Sequence, residues 1–161
     1  MTYAFSAQHR LQTDMSVNWK PAVVHSGEAP FMLASSGVPV KRLVTKSKHG
    51  SEIILGVCEM KPNEESIYWS SELDKPMDDL AKTPEKFKDR PDIVHYGAWH
   101  EVYYVVNGNL DLRYGPSKET MQSLPLRGGD AVCLSPGWVY RIKNTGKENA
   151  FFVWAGTPPL S

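Results

Sequence analysis

"GDAVCLSPGWVYRIKN", residues 129–144, decides the fold. It holds two strand-length runs, "GDAVCLSP" and "WVYRIKN", that meet at Pro136-Gly137, a pair that ends one strand and turns the chain. The same texture extends both ways. "EVYYVVNG" (101–108), "NLDLRYG" (109–115) and "ETMQSLPL" (119–126) precede it, and "NAFFVWAG" (149–156) follows. Strands this short, separated by Gly, Pro and Asn turns with no long helix between them, predict an antiparallel sandwich or small barrel. Gly108, Gly129, Gly137 and Gly146 stand at strand ends, where a positive φ would use them. Within 101–106 the side chains alternate, so Glu101, Tyr103 and Val105 share one face and Val102, Tyr104 and Val106 the other. Both faces are apolar, which predicts a strand covered on both sides.

Further upstream, "SEIILGVCEM" (51–60) reads as a strand, rich in β-branched and apolar residues. "PAVVHSGEAPFMLASSGVPVKRLV" (21–44) reads as short strands broken by Gly and Pro. Between them and the β-rich part lies a charged stretch with four prolines, 61–92. Its only helical possibilities are "PMDDLAK" and "TPEKFKD". It predicts a partly helical surface insertion, either a lid or binding loop or a solvated decoration.

The chain has 161 residues, 41% of them hydrophobic and 22% charged, values of one globular domain spanning 1–161. Eighteen basic residues offset eighteen acidic ones without a basic block, which argues against nucleic acid as a partner. The longest apolar runs are strand-length, so no membrane span is expected. The N-terminal "MTYAFSAQHRLQTD" lacks the charged-then-apolar layout of a secretory signal, and a cytoplasmic location is expected. The two cysteines, Cys58 and Cys133, lie in apolar runs and read as buried free thiols.

Two segments resemble the paired motifs of the cupin superfamily, a jelly-roll β-barrel. The first motif runs G-x5-H-x-H-x3-4-E-x6-G. His95 stands at its first histidine, Glu101 at its glutamate and Gly108 at its last glycine, whereas Asp89 replaces the leading glycine and Gly97 the second histidine. The second motif runs G-x5-P-x-G-x2-H-x3-N. Gly129, Gly137 and Asn144 fit it, with Ser135 at the proline and Tyr140 at the final histidine. The resemblance covers a barrel core of about 51–157, with an N-terminal arm over 1–45. It implies an all-β fold, a single cupin-type jelly-roll barrel carrying the 61–92 insertion. The arm's strands could pair across a twofold, so a homodimer is expected.

The resemblance also implies a site inside the barrel. His95, Glu101 and Tyr140 are the candidate catalytic residues and the candidate metal ligands. One imidazole, one carboxylate and one phenolate form a hard, anionic set that favours iron or manganese as the divalent metal. The phenol's ordinary pKa of about 10 is the obstacle that such a metal would have to overcome. Tyr103 and Trp138 are candidate substrate-pocket residues. His100 adjoins Glu101 and so faces the other way, as a surface or interface residue. His9, His25 and His49 read as surface residues, Asn144 as structural, and no organic cofactor is evident. "HYGAWHE", "PGWVY" and "FFVWAGTPPLS" are also similar, in part, to the ectoine synthase family, where the matching Glu and Tyr bind iron; that family's later metal-binding histidine has no counterpart after His100.

These implications favour a small-molecule enzyme of the lyase, cyclase or isomerase kind acting inside the barrel with the help of a metal. Three alternatives stand beside it. One is a metal-free isomerase or epimerase with a histidine base and a tyrosine acid. Another is a non-catalytic sensor or carrier holding a small apolar or carboxylated ligand. The last is a metal-dependent dioxygenase.

Overall fold

The computed structural model describes residues 23–34, 36–71, 93–96 and 100–157. Among these residues eleven strands follow in chain order: β1 (Met32–Leu33), β2 (Pro39–Val44), β3 (Ile54–Met60), β4 (Tyr68–Ser71), β5 (Ile93–Tyr96), β6 (His100–Asn107), β7 (Asn109–Gly115), β8 (Gln122–Arg127), β9 (Ala131–Leu134), β10 (Val139–Asn144) and β11 (Ala150–Thr157). They form two sheets, of order β1-β2-β3-β11-β6-β9 and β5-β4-β10-β7-β8. The helix between β2 and β3 is a single turn, Lys46–His49, capped by the Thr45 hydroxyl and closed by Gly50 in the left-handed region. His49, expected as a plain surface residue, takes part in this turn, its Nδ1 accepting the Thr45 N–H at 3.1 Å.

Among the described residues the antiparallel expectation holds for every strand pair but one, since β4 and β5 run parallel. β4 lies inside the stretch expected to be a surface excursion. Its Trp69 is 3% exposed and pairs with Tyr140 of β10, so the start of that stretch belongs to the sheet. The helical part expected beyond it, 72–92, lies outside the described residues.

Alternation along each strand sends one row of side chains between the sheets. Cys58, Val105, Phe152 and Trp154 come from the larger sheet, and Leu110, Leu112, Tyr140 and Ile142 from the smaller. Burying a Phe such as Phe152, at 1% exposure, contributes roughly 1.5–3 kcal/mol against the ordering of the chain. The outer face of β6 departs from the expectation of two-sided cover. Val102, Tyr104 and Val106 are all about half exposed, because β6 presents only its odd-numbered row to the other sheet. Cys133 departs likewise. It pairs with Val102 in that outer row and is exposed, whereas Cys58 is buried as expected.

Candidate functional site

Two strands from different sheets carry the central residues. Glu101 is the second residue of β6 in the larger sheet, and Tyr140 sits near the start of β10 in the smaller one. The shared face expected for Glu101 and Tyr103 is realised as a hydrogen bond, the Tyr103 hydroxyl donating to Glu101 Oε2 at 3.0 Å. Tyr103 is 7% exposed and stacks on Phe152 with ring centroids 5.1 Å apart. Its phenol is therefore anchored by packing before it reaches the carboxylate.

Tyr140 is 5% exposed and donates its hydroxyl to the Ser135 carbonyl at 2.7 Å. Trp69 lies beside it at 5.8 Å between centroids. Burial pushes the Tyr140 phenol up to about 12, with the Cys133 thiol and the Glu101 carboxylate adding to the effect. Glu101 thus lies within electrostatic reach of Tyr140 from the opposite sheet. It acts on Cys58 as well, whose thiol is held well above its usual range by burial first and by the Glu101 charge second.

A cleft of about 250 Å³ opens beside Tyr140. Leu112, Leu124, Val132 and Trp138 give it apolar walls, while Ser135 and Tyr140 supply its polar edge. Trp138, expected in the pocket, lines this cleft and packs edge-on against Tyr114 at 5.6 Å. Tyr103, the other expected pocket residue, is not part of its wall and lies instead on the inner face of the larger sheet. The His95 backbone pairs with Ser70, one residue beyond Trp69; its side chain lies outside the described residues. His100 is exposed at the opposite face from Glu101, as the alternation requires. His25 is exposed too, and His9 lies outside the described residues.

The raised Tyr140 phenol has a measurable consequence. Unfolded, the hydroxyl ionises near its ordinary 10.0; folded, it resists ionisation to about 12. The folded chain therefore holds one more proton in that interval, and the stability this group contributes below pH 10 is lost as pH rises toward 12. Tyr140→Phe is expected to flatten that fall, which denaturant titrations at pH 9, 10 and 11 will register.

The described part of this arrangement does not fit a metal centre. Among the described residues no three His, Cys, Asp or Glu side chains converge. The Tyr140 hydroxyl donates its hydrogen bond to a backbone carbonyl and burial holds it away from the phenolate, and Glu101 already accepts the Tyr103 hydroxyl. A cation bridging the two would have to displace both hydrogen bonds and ionise a phenol harder to ionise than usual.

Sequence reasoning missed two partners that define the site. Ser135 was visible only as a departure from the proline of the second motif, and its role is played by a backbone carbonyl that carries no sequence signature. Trp69 lay in a stretch dominated by charge and proline. The apolar "IYW" run inside it was the available signal.

No protein-family model and no curated protein sequence matches the chain. Solved structures do. A predicted oxalate decarboxylase from Thermotoga maritima is similar with a TM-score of 0.59 and 16% identity, over 85% of this chain and 99% of that one. A Cupin 2 conserved barrel domain protein from Salinispora arenicola gives 0.55 and 14%, over 86% and 89%. The CENP-C cupin domain of Drosophila melanogaster gives 0.54 and 16%, over 82% and 77%. Identities this low speak to the fold, and proteins of different character share it. With the two facing sheets, their strand order and the inward site on β6 and β10, these likenesses establish that the chain has the cupin fold.

Proposed function

We propose that the chain is a small-molecule enzyme of the isomerase or lyase kind, moving a proton at a carbon next to a carbonyl without the help of a metal. One observation carries this reading: a hydroxyl that stays protonated, Tyr140, borders an apolar cleft within electrostatic reach of a carboxylate, Glu101. Proton abstraction beside a carbonyl needs a base at the carbon and a donor at the oxygen where negative charge develops. Glu101 takes the first role, its orientation held by the Tyr103 hydroxyl. Tyr140 takes the second by turning its O–H from the Ser135 carbonyl to the substrate oxygen. The apolar walls lower the local dielectric around the Tyr140 hydroxyl and strengthen its interaction with the substrate oxygen. A cleft of about 250 Å³ limits the substrate to a small molecule. His95, carried on β5 next to the Trp69 strand, is the other candidate base, with Glu101 then orienting it.

The test follows C–H to C–D exchange by NMR, in heavy water, across a panel of small keto and hydroxy acids, with and without a chelator. The wild-type chain is expected to catalyse exchange in some of them, unaffected by chelation. Glu101→Gln and Tyr140→Phe are each expected to lower the rate by about 10²- to 10⁴-fold while remaining folded. A rate lost in His95→Gln but kept in Glu101→Gln would move the base to His95. Exchange abolished by the chelator and restored by iron or manganese would return the site to metal-assisted chemistry. Absence of exchange throughout the panel, with binding retained, would favour the non-catalytic carrier.

A further inference from the structure

The larger sheet turns an uncharged face to solvent. Register sets Val102 of β6 beside Ala155 of β11 and Cys133 of β9, and Tyr104 beside Val153 and Ala131. β3 continues the two rows with Leu55 and Val57, so over four adjacent strands neither row holds a charged side chain. Val106 extends the patch at the register shift between Phe151 and Phe152. Val102, Tyr104 and Val106 are 47%, 49% and 47% exposed, and Ala131 and Cys133 are exposed at the sheet edge. The smaller sheet shows what a solvated face looks like in the same molecule. Its outer side carries ion pairs, Arg113 with Asp111 and Arg141 with Glu65.

At about 3.3 Å per residue and 4.8 Å between strands, β3, β11, β6 and β9 cover roughly 400 Å². An apolar patch of that size on a protein surface marks an interaction site, whereas single exposed valines would not. It is about half of the roughly 800 Å² that each partner gives to a standard interface, which matches the apolar share of such interfaces. The remainder falls to a polar rim, on which His100 and Glu59 stand. A second copy of the chain fits this face better than an unlike partner. In a twofold dimer each side chain meets the same patch again, so a charge on it would face its own like. A face without charge is what that arrangement requires. The 18 basic and 18 acidic residues leave no net charge, so two copies approach without overall repulsion. Tyr104, the large side chain in the middle, is of the type that anchors interface centres.

We propose that two copies of this chain meet on the outer face of β3, β11, β6 and β9, as a closed twofold dimer centred on Tyr104. The homodimer expected from the N-terminal arm is thereby placed on a different surface. β2 of that arm is already paired on both sides within its own chain, by β1 and β3. The dimer also borders the cleft. Cys133 belongs to both surfaces, to the outer row beside Val102 and to the cleft wall with Tyr140. A partner on this face therefore sits at the edge of the cleft. The dimer does not depend on the proposed proton chemistry and would stand without it.

Light scattering during gel filtration of the full chain reads the assembly. Wild type is expected to run at twice the chain mass at micromolar concentration. Tyr104→Arg and Val102→Lys each set like charges against one another across the twofold. Both are expected to run as monomers, with self-association weakened by about a hundredfold or more. Tyr104→Phe is expected to stay dimeric. So is Ser123→Lys, which adds the same kind of charge to the outer face of the smaller sheet. Near-UV circular dichroism shows whether the monomers keep their packed cores. Cys133 supplies a second readout, because Cys58 is buried and a maleimide then reports Cys133 alone. Its labelling is expected to be at least about tenfold slower in wild type than in Tyr104→Arg, since an interface core excludes water and reagent. If the charged variants lose their near-UV spectrum, dilution of the wild type decides, Cys133 labelling speeding up as the dimer dissociates. A wild-type chain still monomeric at about 100 µM, where even weak interfaces associate, would overturn the assignment. So would a dimer that survives both charged substitutions, or an assembly that keeps growing past two copies. Cys133 labelling that ignores protein concentration across the change from dimer to monomer would overturn it as well.

Discussion

Asn144→Ala is expected to lower the unfolding free energy by about 3–5 kcal/mol, enough to leave a domain of ordinary stability barely folded. Asn144 is wholly buried at the end of β10, and its amide serves three partners at once. The side-chain nitrogen donates to the carbonyls of Met60 and Glu148, each at 2.8 Å, and the side-chain oxygen accepts the Gly146 N–H at 2.8 Å. Its backbone adds bonds to Glu64 and Asn63. One residue thus joins the end of β3, the loop before β4 and the β10–β11 turn. Alanine leaves the Met60 carbonyl buried without a partner, at a cost of about 1–3 kcal/mol, and strips the partly buried Glu148 carbonyl and Gly146 N–H of their partner as well. Asn144→Asp should be as damaging, because it sets a carboxylate oxygen against two carbonyls where a donor stood. Urea denaturation of both variants checks this; a loss below about 1 kcal/mol would show that water replaces the amide.

Gly108→Ala is expected to cost about 3 kcal/mol or more, through two effects that its neighbour Gly129 separates. Gly108 is the whole connection between β6 and β7, with φ at 94°. An added Cβ would stand 2.6 Å from the Ala150 Cα and from its Cβ, and neither atom can yield without moving β11. Gly129 has nearly the same φ, 96°, but open space where its Cβ would go. Gly129→Ala should therefore show backbone strain alone, about 1–2 kcal/mol. The difference between the two measures the clash. Equal losses would mean that β11 gives way easily and that conformation is the whole effect.

The same comparison shows what turn residues say in advance. Gly108, Gly129 and Gly137 all adopt the positive φ expected at strand ends. Gly146 does not, and what its position asks for is room beside the Asn144 side-chain oxygen, 3.2 Å from where a Cβ would sit. A positive φ belongs to a local turn and can be anticipated from its neighbours. Crowding by a residue across the fold, as Ala150 crowds Gly108, cannot.

The site divides along the same line. Glu101 and Tyr103 were legible as a pair because a strand's period of two is a local property of the backbone, and the hydrogen bond between them follows. Tyr140 was legible through the spacing of the second motif. Its protonated state was not, since that depends on burial beside Trp69 and on a charge from the other sheet.

By itself, then, the sequence determined the all-β class, the boundaries of most strands, the turns between them and which side chains share a strand face. All of these follow from backbone sterics and a two-residue repeat within a few neighbours. The tertiary structure alone decided which face met the other sheet, that Cys133 and the Val102 row stay outside, that β4 joins the smaller sheet, and that Tyr140 keeps its proton. Those outcomes depend on residues far apart in the chain being brought together, and burial and charge act only once they are.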